Sequence, residues 1–121
     1  MGKKRILLID DESGFTRLLR LTLPQYEICE ENNPLNAVQT ARDFKPELIF
    51  LDVIMPDADG GTIASQIQED PLLKSVPIIF LTAIVSQEEA ESKEQIGGYE
   101  FLSKPVGREN IIACVTKHLG P

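Results

Sequence analysis

The chain has 121 residues and a formal net charge of -7, which suits one domain with one hydrophobic core. The acidic balance disfavours a surface for nucleic acid or anionic lipid, because such surfaces need clustered lysine and arginine. No apolar run approaches the length of a membrane span and no signal peptide is visible, so we expect a cytoplasmic protein without membrane contact. Cys29 and Cys114 lack CxxC spacing, which predicts reduced, small core residues, with a disulfide between them as the alternative.

The first predicted elements are a buried strand and an amphipathic helix. Arg5–Ile9 is almost wholly apolar without alternation, which is typical of a strand buried on both faces. It runs directly into Asp10 and Asp11. Ser13 is a suitable N-cap for a helix that reaches about Leu23. The inward positions of this helix are predicted to be Phe15, Leu18, Leu19 and Thr22.

The rest of the chain repeats the order of strand and helix. Asn33 followed by Pro34 predicts a helix start, and Ser86 with Glu89 forms a capping box that opens a polar helix ending at Gly97. The later strands are predicted at Tyr26–Glu30, Leu48–Leu51, Ile78–Leu81 and Tyr99–Leu102, and the last helix at Arg108–Leu119. This alternation predicts an α/β domain whose parallel sheet carries helices on both faces.

Side chains that can bind ligands or take part in catalysis follow the carboxyl ends of the apolar strands. Asp10 and Asp11 follow the first strand, Asp52 follows the third, Thr82 the fourth and Lys104 the fifth. In open parallel sheets the ligand site lies outside these strand ends. A single acid there would mean little, whereas three acids, a hydroxyl and an amine form a coherent set.

This set predicts phosphoryl transfer. Three carboxylates in one cleft repel one another and lose hydration, and a divalent cation offsets both effects. Carboxylate and phosphate oxygens suit Mg²⁺, while Lys104 would neutralise an incoming anion and Thr82 would donate a hydrogen bond to it. A carboxylate in such a site can itself be the nucleophile and form an aspartyl phosphate.

Four stretches of the chain resemble the receiver domain of bacterial two-component response regulators, and in particular the single-domain chemotaxis regulators. The stretches are IDDE (Ile9–Glu12), FLDVIMPDADG (Phe50–Gly60), IIFLTA (Ile78–Ala83) and FLSKP (Phe101–Pro105). They occur in order and span essentially the whole chain, which implies one receiver domain over residues 1–121. The resemblance implies a flavodoxin-like fold in which five helices flank a five-stranded parallel sheet of strand order 2-1-3-4-5.

The resemblance also implies a phosphoryl acceptor and a set of metal ligands. Asp52 would accept a phosphoryl group from the phosphohistidine of a sensor histidine kinase or a phosphotransfer protein. The cofactor would be Mg²⁺, for which Mn²⁺ could substitute. Asp11 and Asp52 would bind it directly together with the main-chain carbonyl of Ile54, and Asp10 would act mainly through water.

The resemblance further implies a switch that follows phosphorylation. Lys104 would pair with the phosphoryl group, Thr82 would move toward it, and Phe101 would turn inward. The peptide bond between Lys104 and Pro105 is expected to be cis, which proline permits. The surface formed by residues 86–119 would then change and bind a downstream protein target, from a monomer or weak dimer that catalyses its own phosphorylation and dephosphorylation.

Two apolar positions beside the site suggest a long-lived phosphorylated state. Ile54 lies two residues after Asp52, and Ile84 lies two residues after Thr82. Bulky apolar side chains there would exclude or misplace the water that hydrolyses an aspartyl phosphate. We therefore expect slow self-dephosphorylation.

For three further acids and the single histidine, the sequence indicates structural roles alone. Glu12, Asp57 and Asp59 are predicted to be exposed acids without an assigned role. His118 lies near the end of the last predicted helix, where it would interact favourably with the helix dipole.

Three alternative functions differ in class. A receiver-like interaction module that is never phosphorylated is the first alternative. A phosphatase of the haloacid dehalogenase type would need a second aspartate where Ile54 stands, and a flavodoxin would need a Ser/Thr/Gly-rich phosphate loop where Asp10 and Asp11 stand. Met1 close to the first strand favours a natural start, but the sequence leaves open a stand-alone regulator or part of a longer one.

Overall fold

The central element of the fold is a sheet of five parallel strands. The computed structural model describes residues 2–56, 58–83, 95–96 and 98–121. The parallel strands are β1 (Arg5–Ile9), β2 (Glu27–Glu31), β3 (Leu48–Asp52), β4 (Ile78–Thr82) and β5 (Tyr99–Ser103). The α-helices are α1 (Ser13–Thr22), α2 (Ala37–Phe44), α3 (Gly60–Glu69) and α4 (Arg108–Leu119), and a 3₁₀ turn at Pro34–Asn36 precedes α2. The strand order is β2-β1-β3-β4-β5, which confirms the predicted order.

Short antiparallel pairs add to this sheet and correct one prediction. Gln95–Ile96 pairs antiparallel with β5 at the edge of the sheet, and Ile54–Met55 pairs with Ala58–Asp59 in a separate ribbon. The helix predicted over 86–97 is therefore wrong at Gln95 and Ile96, and its other positions lie outside the described residues. The described part of the chain contains four α-helices rather than the five predicted.

The core occupies both faces of the sheet. Every residue of β3 and β4 is buried, as expected for all-apolar strands in a covered parallel sheet. Alternate residues of β1 point to opposite faces, so that Leu7 packs with α2 and α3 while Leu8 packs with α1 and α4. Two layers of helices thus cover a sheet that has no solvent-facing side near its centre.

Helix α1 departs from its prediction in two ways. Glu12, rather than Ser13, occupies the N-cap position, and Leu18 is 63% exposed. The buried positions are Thr16 and Leu19. Thr16 can be buried because its hydroxyl donates a hydrogen bond to Glu30 Oε1 at 2.7 Å, a partner that apolar spacing alone does not reveal.

The parallel register brings the polar strand ends together. Ile9 pairs with Leu51, Asp52 with Leu81, and Thr82 with Ser103. The residues that end or follow these strands therefore meet along one edge of the sheet. No helix in the described residues has the length and apolar character needed to cross a bilayer.

Candidate functional site

Three aspartates converge at the carboxyl edge of the sheet. Asp10 follows β1 and Asp52 is the last residue of β3, and they are only 1% and 5% exposed. Asp11 is more exposed than either. One carboxylate oxygen from each of the three lies within 4.8 Å of the others, so the strand ends that the sequence predicts to meet do so.

Lys104 supplies the positive charge of this cluster. Its Nζ lies 2.6 Å from Asp10 Oδ2, 2.8 Å from Glu12 Oε1 and 3.5 Å from Asp52 Oδ2. The Lys104 amide donates to the carbonyl of Thr82 at 2.9 Å, which fixes the residue beside the end of β4. One ammonium group thus contacts three carboxylates, and Asp11 adds a fourth acid to the cluster, so the site retains an excess of negative charge.

Burial and the neighbouring charges shift the pKa values of Asp52 and Lys104 in the same direction. Burial, followed by the charge of Asp10, raises the pKa of Asp52 to about 6, although Lys104 opposes the shift. Burial alone would lower the pKa of Lys104, but its contacts with Asp10 and Glu12 raise it to about 12. The lysine is therefore charged at neutral pH, and the Asp52 carboxylate is ionised there at a free-energy cost.

Asp10 shows that the site suits a hard divalent cation. Its Oδ1 accepts a hydrogen bond from the Glu12 amide at 3.0 Å, and Asn32 Nδ2 holds its carbonyl at 2.8 Å. Its Oδ2 is buried and is paired with the Lys104 ammonium at 2.6 Å. A set of three converging aspartate oxygens is the donor chemistry that Mg²⁺ prefers.

The chain around Asp52 is held tightly by backbone packing. The Ile54 amide donates to Asp52 Oδ1 at 3.3 Å, and the Gly60 amide donates to the Val53 carbonyl at 3.0 Å. A Cβ atom on Gly60 would lie 2.4 Å from the Asp52 carbonyl oxygen and 2.7 Å from Val53 Cα. Only glycine therefore fits where α3 begins, and its close approach sets the position of the acidic strand end.

The other predicted site residues are placed as follows. Thr82 is buried at the end of β4, and Phe101 on β5 is partly buried against the core. The Lys104–Pro105 peptide bond is cis. The side chain of Ile54 is 56% exposed, and Ile84 lies outside the described residues.

Two contacts of Lys104 were missed by sequence reasoning. Glu12, to which no role was assigned, forms an ion pair with its Nζ. The same Nζ lies 4.4 Å from the centre of the Phe15 ring, within the range of a cation–π interaction. A signal for Glu12 was present in the sequence, because it directly follows Asp10 and Asp11 at the same strand end.

Comparison with known proteins assigns the family. A family model described as the response regulator receiver domain matches residues 6–116. The chain belongs to this family. Receiver domains of two-component systems interact with histidine kinases or phosphotransfer proteins, which is the coarse function predicted from the sequence.

The relatives of this receiver domain include both long and short regulators. It is 34% identical over 114 residues to the response regulator PleD of Caulobacter vibrioides, covering 92% of this chain but 25% of PleD. It is 27% identical to the polar-differentiation response regulator DivK of Brucella anthropi, covering 97% of both chains. The chain thus spans about a quarter of PleD but nearly all of DivK.

Solved structures share the fold of this receiver domain. The chemotaxis protein CheY4 of Vibrio cholerae superposes with a TM-score of 0.83 at 23% identity, covering 98% of this chain and all of that one. A putative response regulator from Chloroflexus aurantiacus gives a TM-score of 0.81 at 25% identity, with complete coverage of both chains. The flavodoxin-like α/β fold predicted from the sequence is confirmed.

Proposed function

We propose that residues 1–121 form one receiver domain in which Asp52 accepts a phosphoryl group from the phosphohistidine of a sensor histidine kinase or phosphotransfer protein. The observation that carries this proposal is the position of Asp52 beside both Asp10 and the Lys104 ammonium, which contacts the two carboxylates. Its carboxylate is buried, ionised at neutral pH and 3.5 Å from the ammonium group. A carboxylate in that setting can act as a nucleophile toward phosphorus.

Asp11 and Asp52 would hold Mg²⁺ directly, together with the main-chain carbonyl of Ile54, and Asp10 would act mainly through water. When bound, Mg²⁺ neutralises the carboxylates and the phosphoryl oxygens, so that an anionic donor can approach an anionic site. The convergence of one carboxylate oxygen from each of the three aspartates within 4.8 Å supports this assignment. The Glu12 amide and Asn32 keep Asp10 oriented toward the cleft.

The transfer itself exchanges one bond to phosphorus for another. A carboxylate oxygen of Asp52 forms the new phosphorus–oxygen bond as the phosphorus–nitrogen bond of the donor breaks, and the donor imidazole keeps the electron pair. Lys104 stabilises the negative charge of the phosphoryl oxygens, and its cationic state follows from a pKa of about 12. The exposed side chain of Ile54 carries no proton donor or acceptor, which favours a switch with a lasting acyl phosphate over a phosphatase with turnover.

The switch would connect the phosphoryl group to the surface formed by residues 86–119. A phosphoryl group adds a charge of about -2, which would draw the Thr82 hydroxyl and Lys104 toward it. The Lys104 amide is bonded to the Thr82 carbonyl, so the ends of β4 and β5 would respond together. Phe101, partly buried on β5, would turn inward and change the affinity for a downstream protein by shifting an existing equilibrium.

Intact-mass spectrometry after incubation with acetyl phosphate tests the proposal. We expect one added phosphoryl group in the presence of Mg²⁺, none in its absence, and none in Asp52→Asn. Asp70→Asn is the matched control, because Asp70 is also a buried aspartate but lies outside the cluster, and it should still be phosphorylated. Absence of phosphorylation in the wild type would instead identify an interaction module that works without phosphate.

A further inference from the structure

A second group of side chains with metal-ligating atoms lies between β5 and α4. Glu100 is the second residue of β5, and Cys114 and His118 lie on α4. One ligand atom from each lies within 4.8 Å of the other two. None of these residues takes part in the proposed phosphoryl transfer, so the group needs its own explanation.

The spacing of these atoms resembles a metal coordination sphere. Cys114 Sγ lies 3.6 Å from Glu100 Oε2, and His118 Nε2 lies 3.2 Å from Glu100 Oε1. These two distances involve the two different oxygens of the Glu100 carboxylate. Around tetrahedral Zn²⁺ a single carboxylate oxygen would lie about 3.6 Å from the sulfur and about 3.4 Å from the nitrogen, and one Glu100 oxygen already lies within 4.8 Å of both ligand atoms. The i, i+4 spacing of Cys114 and His118 places both on one helix face, and the strand carboxylate lies between them.

The burial of the group also suits a bound ion. Cys114 is buried, and Glu100 and His118 are partly buried, so bulk water competes less with these ligand atoms for a cation than it does at fully exposed side chains. Lys117 Nζ pairs with Glu100 Oε1 at 3.0 Å. Because the Lys117 side chain is 66% exposed, it can move into solvent when a metal binds.

We propose that Glu100, Cys114 and His118 bind Zn²⁺, or a transition-metal ion of similar preference, as three ligands with water in the fourth position. On binding, the Cys114 thiol loses its proton to solvent, and the sulfur, the carboxylate oxygen and the imidazole Nε2 each donate an electron pair to the metal. Mixed Cys, His and carboxylate ligands select such ions over Mg²⁺. The bound ion would fasten α4 to β5 within the surface that the proposed switch uses.

Cobalt absorption spectroscopy of the untagged full chain tests this site. Co²⁺ is added as the probe in excess Mg²⁺, which occupies the aspartate cluster. We expect a thiolate-to-cobalt charge-transfer band and tetrahedral ligand-field bands, both lost in Cys114→Ser. Cys29→Ser is the matched control and should keep them, because Cys29 lies on β2. Asp52→Asn should also keep both bands, which separates this site from the phosphorylation site.

Competition with a chromophoric chelator then gives the Zn²⁺ affinity. We expect His118→Gln and Glu100→Gln to weaken binding by at least about tenfold, whereas Lys117→Gln strengthens it by releasing Glu100. His118 is partly exposed, so its variant should fold even if Cys114→Ser does not. A wild-type protein without the charge-transfer band, or Zn²⁺ affinities unchanged in His118→Gln, would overturn the proposal and leave the group as a network of ion pairs and hydrogen bonds.

Discussion

Two buried aspartates, Asp52 and Asp70, show how differently the fold treats the same side chain. Asp70 caps the end of α3, where its Oδ1 accepts from the Leu72 amide at 2.9 Å and its Oδ2 pairs with Arg42. The Leu72 hydrogen bond and then Arg42 lower the pKa of Asp70. Burial and Asp10 raise the pKa of Asp52 to about 6.

The difference lies in how completely other residues of the chain provide each carboxylate with hydrogen bonds and positive charge. Asp70 accepts an aligned hydrogen bond from the Leu72 amide and pairs with the guanidinium of Arg42, so its negative charge stabilises the fold. Asp52 has one long amide contact at 3.3 Å and shares one lysine with Asp10 and Glu12. The negative charge of Asp52 is therefore only partly neutralised within the chain. An external cation can bind to it, as expected at functional sites.

Gly60→Ala should have the largest effect and should act on the Asp52 side alone. The added Cβ would meet the Asp52 carbonyl oxygen at 2.4 Å, and we expect a loss of about 1–3 kcal/mol in the free energy of unfolding with slower phosphorylation. Denaturant unfolding and acetyl phosphate kinetics measure the two effects.

Gly61→Ala is the matched control for this substitution. Its Cβ would lie 3.6 Å from Asp59 Oδ1, an ordinary contact, and alanine favours a helix. We expect neutral or slightly increased stability. Equal losses in both variants would contradict the role of Gly60 as a close-approach residue.

Asp52→Asn and Asp70→Asn should change stability in opposite directions. Without added metal, Asp52→Asn removes a buried charge that is only partly neutralised. It should therefore raise the free energy of unfolding by about 1–2 kcal/mol, allowing for screening by solvent and Lys104. Asp70→Asn removes the Arg42 ion pair and should lower it. Urea unfolding at pH 7 compares the two variants with the wild type.

The pH dependence gives a second measurement of the same contrast. The raised pKa of Asp52 means that its favourable contribution to stability is fully present below about pH 3.8, its ordinary value, and is lost as the pH rises through about 6. The lowered pKa of Asp70 has the opposite effect on stability. Its stabilising contribution is present above about pH 3.8, its ordinary value, and is lost as the pH falls further. If Asp52→Asn left the profile between pH 4 and 7 unchanged, the assigned state of Asp52 would be wrong.

Ile54→Asn should have the smallest effect, on the lifetime of the phosphorylated state. Its side chain is 56% exposed beside Asp52, and an amide there could orient a water for hydrolysis. We expect dephosphorylation to be about threefold to tenfold faster, which corresponds to a barrier lower by about 0.7–1.4 kcal/mol. Leu72→Asn, at an exposed apolar position outside the cluster, is the control, and Ile84→Glu tests the second predicted position. Unchanged rates in both Ile54→Asn and Ile84→Glu would exclude the proposed role.

Much of the fold and of the site was predictable because its signals are local. The apolar runs before Asp10, Asp52 and Thr82 predict buried parallel strands, and parallel strands place their carboxyl ends along one edge. Strand bounds differ by a residue, as where Asp52 belongs to β3. The exposed Leu18 was misassigned because the hydrogen bonds of Thr16 compete with apolar spacing for the inner face.

The sequence by itself determined the alternation of strands and helices and which strand-end acids and lysine meet, since these follow from apolar patterning. The family and the sheet order followed from the resemblance of four motifs in order. Only the tertiary structure decided how the charges are shared. It placed Glu12 on Lys104, satisfied Asp70 but not Asp52, and brought Glu100 to Cys114 and His118. The pairing of Glu12 with Lys104, of Asp70 with Arg42, and of Glu100 with residues of α4 joins different elements of the fold, and no local pattern encodes the distances between them.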